Sequence, residues 1–303
     1  MTLIYYAGLF LCSVATTFSQ YKFGRSLRSK NDILIYIMIT GVMSMLFFGV
    51  SSGFCIVLNS RTVFYSVVLT VISVISYYTQ LFVYKYMGVA EVSFITTGGK
   101  LLFTSIAGII IFSEKISLLS VLRISLMLLA VLFLFLEKSK TEKRNKESKG
   151  ERSKSAFSLG ILICASIIII GTTSTVVSKY IAIDAQITSS ESVFFFTNLL
   201  ITAFSVAFLL FESRFCVKNV INAFQSVSTK QYLNVTLKTF AGSVSLIIGI
   251  LILAEGEVSF YVPLSNALGL IATQVVAFII LREKPLILPS IAAILSLIVA
   301  FLG

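Results

Sequence analysis

Residues 33–59 read ILIYIMITGVMSMLFFGVSSGFCIVLN, a run without one charged side chain. A helix needs about 20 mainly apolar residues to cross the hydrocarbon of a bilayer, and a soluble domain would have to break so long a run with charge. Outward from it the same pattern recurs near 2–20, 62–84, 89–112, 117–136, 157–178, 190–211, 233–254, 258–281 and 286–303. Barrel strands would instead alternate in segments of about ten residues. The expected fold is an all-α integral membrane protein with ten transmembrane helices.

Composition points the same way. The chain is 57% hydrophobic with a mean hydropathy of +0.99, and 12% of it is charged, against roughly 25% in soluble domains. It has no histidine, so the commonest metal ligand, general base and pH switch are missing together. Cys12, Cys55, Cys164 and Cys216 lie far apart with no CxxC pair, which reads as packing rather than a zinc site or disulfide framework. No Walker loop and no DxxD pair occur, so ATP hydrolysis and metal-diphosphate chemistry are not expected, and no cofactor or metal is. An enzyme is therefore disfavoured.

The net charge of +11 sits mostly in loops between apolar runs. That placement is an orientation signal and argues against a nucleic-acid partner. Residues 1–21 carry no charge and lack the basic start of a cleaved signal, so they read as a retained span. Residues 137–156 hold eight Lys or Arg and four Glu with almost nothing apolar, and divide the chain into 1–136 and 157–303. In 212–232, Val217, Val220, Ile221, Phe224 and Val227 share one helical face, which fits either a short helix at the membrane surface or an amphipathic loop.

The two parts resemble each other. Glu91-Val92-Ser93-Phe94 recurs as Glu257-Val258-Ser259-Phe260, each opening a span, and Ser113-Glu114-Lys115 recurs as Arg282-Glu283-Lys284, each closing it. Thr16-Thr17 and Lys22 are matched by Thr173-Ser174 and Lys179. Three matches in order indicate a duplicated five-span unit. An odd number of spans per unit inserts the halves in opposite senses, giving two inverted five-helix repeats with a site expected near the midplane. Loops after the odd spans carry 18 Lys or Arg, against three in the opposite loops. The linker is thus expected in the cytoplasm, and both termini outside.

With its 5+5 plan, its short Ser-Glu-Lys and Arg-Glu-Lys links and the apolar helix after each, the chain resembles the drug/metabolite transporter superfamily. The likeness is to its ten-helix form with two EamA-type repeats, related to nucleotide-sugar and triose-phosphate transporters. The resemblance covers essentially the whole chain. It implies a multi-pass protein of the cell membrane and a small-molecule substrate, and leaves a homodimer open. The family usually keeps both termini in the cytoplasm, opposite to the charge count here. Related carriers use basic residues on the fourth and ninth helices.

Lys100 is the leading site candidate. It sits midway along the fourth span, where an ionisable group costs about 2.5–3.5 kcal/mol and persists mainly beside a cavity. Ser93, Thr97, Lys100 and Thr104 share a helical face, and an ammonium there suits phosphate or carboxylate. The repeat position of Lys100 is Asn266, on a ninth-span face with Ser259 and Thr273; Pro263 is expected to interrupt that helix, for binding or as a packing kink. The third span offers Tyr77, Gln80 and Tyr84, and the first offers Tyr6, Ser13, Thr16 and Gln20, although tyrosines near span ends also serve as interfacial anchors. In the seventh span Glu191, Phe195, Asn198 and Thr202 share a face. The run Phe194-Phe195-Phe196-Thr197-Asn198 loosely resembles the aromatic-asparagine motif of nucleotide-sugar carriers, without its tandem asparagines; an aromatic packing cluster is the other reading. Glu114 and Glu283 read as helix-start residues, Arg123 as a snorkelling side chain, and Lys238 stays ambiguous.

No carboxylate lies at the centre of a span. An exchanger or facilitator is therefore favoured over a proton-driven carrier, with Glu191 as the candidate for any proton coupling. The expected function is alternating-access transport of a small polar or anionic metabolite. An exporter or flippase for an amphipathic compound or lipid-linked sugar is the alternative.

Overall fold

The computed structural model describes residues 2–26, 30–84, 86–113, 152–184, 189–255 and 258–280, with isolated residues between 118 and 133 and at 291 and 294. All secondary structure among them is helical. The helices are α1 (Thr2–Ser26), α2 (Lys30–Ser51), α3 (Ser60–Val83), α4 (Val89–Phe112), α5 (Arg152–Ile183), α6 (Ser190–Glu212), α7 (Val217–Ser226), α8 (Thr229–Glu255) and α9 (Val258–Val275), which runs on into a π-helical turn, Val276–Ile280. Six of them, α2 to α6 and α8, are long and apolar enough to cross a membrane. Leu11, Val50, Val71, Ile110 and Phe211 are each more than half exposed, the outward greasiness expected of helices bathed in lipid.

Several expected boundaries move. The uncharged run 33–59 does not stay helical: α2 ends at Ser51, because Gly53 and Phe54 take left-handed backbone and the Ser51 and Ser52 hydroxyls donate to the carbonyls of Phe48 and Gly49. The first helix, expected as a span over 2–20, continues to Ser26, with Lys22 and Arg25 over the rings of Phe18 and Tyr21 instead of ending it, and it is not one of the six long apolar helices. Arg152 to Ala156, assigned to the linker, already belong to α5. Pro263 does not interrupt α9, since the backbone stays helical through it and the irregular turn comes later. It lies near the helix start, where a missing N–H removes a single intrahelical bond. Within the segment 212–232, Val217–Ser226 form the helix α7, with Ala223 and, just past its end, Val227 buried and Phe224 packed on them, while Ile221 of the expected face is exposed. The expected spans 117–136 and 286–303, with Glu114, Arg123 and Glu283, fall largely outside the described residues.

Helix contacts divide the chain into two compact units, each drawing on both sequence halves. One comprises residues 15–81 and 177–254. Within it α2 packs along α6, where Gly41 opposes Asn198 and Thr202 while Gly49 lies beside Phe195, so the two run antiparallel. Thr40 with Thr239 and Ser44 with Ser243 (3.2 Å between hydroxyls) set α2 and α8 parallel. Ser66 and Thr70 donate to the carbonyls of Val193 and Thr197, which sets α3 and α6 parallel. Phe23, Ile35, Tyr36, Leu81, Ile201 and Val235 fill one core, and Phe48, Tyr65, Val193 and Phe194 anchor another.

The other unit comprises residues 1–14, 82–176 and 255–303. Here α4 packs along α9. Met87 meets Gly160, Gly99 meets Ile168 and Lys100 meets Gly171, so α4 and α5 run parallel in close approach over glycines. Small residues permit such approach where lipid removes the hydrophobic drive between helices. The start of α4 is fixed by Glu91, whose carboxylate accepts from the Gly88 N–H at 3.4 Å.

Candidate functional site

In the unit that contains α4, Lys100 occupies the middle of a 24-residue helix. Its side chain crosses the bare backbone of Gly171, where a Cβ would lie 2.9 Å from the lysine Nζ. The amine makes no hydrogen bond or ion pair among the described residues, and the side chain is only partly covered. The rest of the expected polar stripe is largely committed elsewhere. Ser93 donates to Thr273 at 3.1 Å, which ties α4 to α9, and Thr104 donates to the Lys100 carbonyl at 2.5 Å. Thr97 is half-buried beside the lysine on the same face. Asn266 and Ser259 lie on α9 one and two heptads before Thr273, with side chains outside the described set.

The remaining candidates fall in the second unit. Gln20 of α1 is buried and donates to the Gln80 amide oxygen at 2.6 Å, and Gln80 donates to the Ser76 hydroxyl at 2.8 Å. Tyr77 stands one turn before Gln80 and is half-buried, as is Thr16 on α1. Asn198 is buried where α2 meets α6 and donates to the Phe194 carbonyl of its own helix at 2.7 Å. Glu191 lies in the first turn of α6, where its carboxylate accepts from Ser189 and Ser190 while the Ser189 hydroxyl caps the Ser192 N–H. These are the bonds of a helix start, and they place the carboxylate at the end of a span.

Two residues with no assigned role stand out in this unit. Lys238, on α8, is 7% exposed, and its Nζ lies 4.3 Å from the centroid of Tyr77 and 5.4 Å from that of Tyr36. The two rings meet edge to face at 6.2 Å, and Phe23 packs on Tyr36 at 4.7 Å. Like Lys100, this amine has no hydrogen-bond or ion-pair partner among the described residues. The signal for Lys238 was present in the sequence, as a cation inside an apolar run. Its tyrosine seat was not, since Tyr36 and Tyr77 come from separate spans. Among the described residues no group of His, Cys, Asp and Glu is placed to hold a metal.

No family model matches the sequence, and no curated protein matches it either. Among solved structures 22 chains match. One of them, a crystal structure of a protein, aligns over 99% of this chain and 96% of its own at a TM-score of 0.65 and 14% identity. Likeness at that identity establishes a shared fold across nearly the whole chain.

Proposed function

We propose that this chain is a secondary transporter of the cell membrane that moves a small polar or anionic metabolite by alternating access, as an exchanger or facilitator and without enzymatic activity. The observation that carries this reading is Lys100, an ammonium at the centre of a membrane-length helix with neither a hydrogen-bond acceptor nor a carboxylate on it among the described residues. A cation retained there against a cost of about 2.5–3.5 kcal/mol is explained by an anionic group that visits it.

Supporting the 5+5 plan are the helix pairs α2 with α6 and α4 with α9, which are the second and fourth spans of each proposed half. Their partners point the same way: α2 with α8, α3 with α6 and α4 with α5 run parallel, as an alternating ten-span order requires. Unit seams at 14/15 and 81/82 recur at 176/177 and 254/255, near equivalent places in the two halves. Membership of the drug/metabolite transporter superfamily is part of the same proposal.

Uptake of a metabolite panel into liposomes holding the purified protein is the test. Transport of an anionic member is expected to fall at least tenfold in Lys100→Ala while the variant stays monodisperse. Unchanged uptake by that variant removes the assigned role.

A further inference from the structure

We infer that Lys238, Tyr36 and Tyr77 form a binding site for a monocarboxylate whose hydroxyl or amide group is taken by Gln20 and Gln80. The inference rests on the transporter reading and names its substrate class. Lys238 lies within the span Thr229–Ala254, is 7% exposed, and has two ring faces and no oxygen acceptor against its ammonium among the described residues. Ring faces attract a cation through their quadrupole but leave its three N–H donors without directed partners. A carboxylate supplies both the charge and the acceptors.

Among the described residues no carboxylate or other oxygen acceptor contacts that ammonium. Of the described carboxylates in this unit, Asp32 and Glu191 open α2 and α6, Asp184 follows α5 and accepts from Tyr65, and Glu212 closes α6. At this cage one ammonium balances one negative charge, so a phosphate dianion held here would bring a second charge with no counterpart in the cage.

The second half of the site comes from the amides. Gln80 is held on both sides by Gln20 and Ser76, whereas buried Gln20 keeps its carbonyl oxygen and one N–H without a partner among the described residues. Gln80 stands one turn beyond Tyr77 on the same face of α3, which places the amide pair about 5 Å along the helix from the cage. A carboxylate carrying a hydroxyl about that far away satisfies both ends at once. A chain the length of 4-hydroxybutyrate has that reach.

The experiment uses the full chain, purified and reconstituted, with ω-hydroxy carboxylates from glycolate to 6-hydroxyhexanoate, their primary amides and inorganic phosphate as probes. Uptake and thermal stabilisation are both read. The expected result is a preference for a mid-length hydroxy acid, with no response to the amides. Lys238→Gln should raise KM at least tenfold, and Lys238→Arg should stay within about threefold of the parent. Gln20→Leu should abolish the preference for chain length and keep the need for a carboxylate. Preference for phosphate, or a folded Lys238→Gln with unchanged KM, overturns the site while transport stands. Carboxylate binding that depends on Lys238, without uptake of any solute, keeps the site and removes the transporter reading. If Lys238→Gln does not fold, the parent's response to the acid and amide pairs decides, and equal stabilisation by both overturns the site.

Discussion

At the scale of single residues, two glycines with similar crowding have opposite consequences. A Cβ at Gly171 meets the far end of the Lys100 side chain, with Cδ and Nζ both at 2.9 Å, and that chain can swing aside. Gly171→Ala is therefore expected to change stability by less than about 1 kcal/mol, helix propensity offsetting the crowding, yet to shift the KM of any substrate held by Lys100. At Gly41 the added carbon falls 2.5 Å from the Thr202 hydroxyl and 3.1 Å from the Asn198 carbonyl, where backbone must give. Gly41→Ala should cost about 1–3 kcal/mol. Thermal melts in detergent beside uptake kinetics separate the two. Lys100 and Lys238 were both readable as charges inside apolar runs, because any ion in such a run needs a reason to be there. Their surroundings were not, since Gly171, Tyr36 and the Gln20 to Gln80 bond join residues 60 or more positions apart. Helical periodicity is blind to such pairs.

Between elements, hydroxyl pairs fix register in a way that apolar contacts do not. Thr40 with Thr239 and Ser44 with Ser243 advance together along α2 and α8, four residues per step. With the four native cysteines replaced by serine, Ser44→Cys with Ser243→Cys should cross-link under mild oxidation, because the two hydroxyl oxygens are 3.2 Å apart. Ser44→Cys with Thr239→Cys, one turn out of step, should not. Mass spectrometry of the closed peptide pair reads the result. The existence of these helices followed from length and hydropathy alone. Their ends did not: Ser51 stops α2 through local serine bonds and a left-handed turn inside a run that stays apolar to residue 58, and hydropathy carries no trace of backbone handedness.

For the molecule as a whole, charge asymmetry makes the firmest statement about orientation. Eighteen of the 24 Lys and Arg fall on the linker side of the spans read from the sequence, and in the proposed topology the positive-inside rule puts that side in the cytoplasm. A periplasm-active phosphatase fused after Gly303 is expected to be active, and a maleimide that does not cross membranes should label cysteine placed at Lys140 only after the cells are opened. Labelling of intact cells at that position would invert the assignment. The proposed duplication rests on short motifs in the sequence, whereas the way the two units draw on both sequence halves was hidden, because it depends on which helices touch. That interleaving governs the order of assembly during synthesis. The unit holding Lys238 draws its last residue from position 254, while the unit holding Lys100 still awaits the segment from 255 onward. A nascent chain leaving the ribosome thus completes the tyrosine cage first, and the early helix α4 waits in the bilayer for α9 to be made.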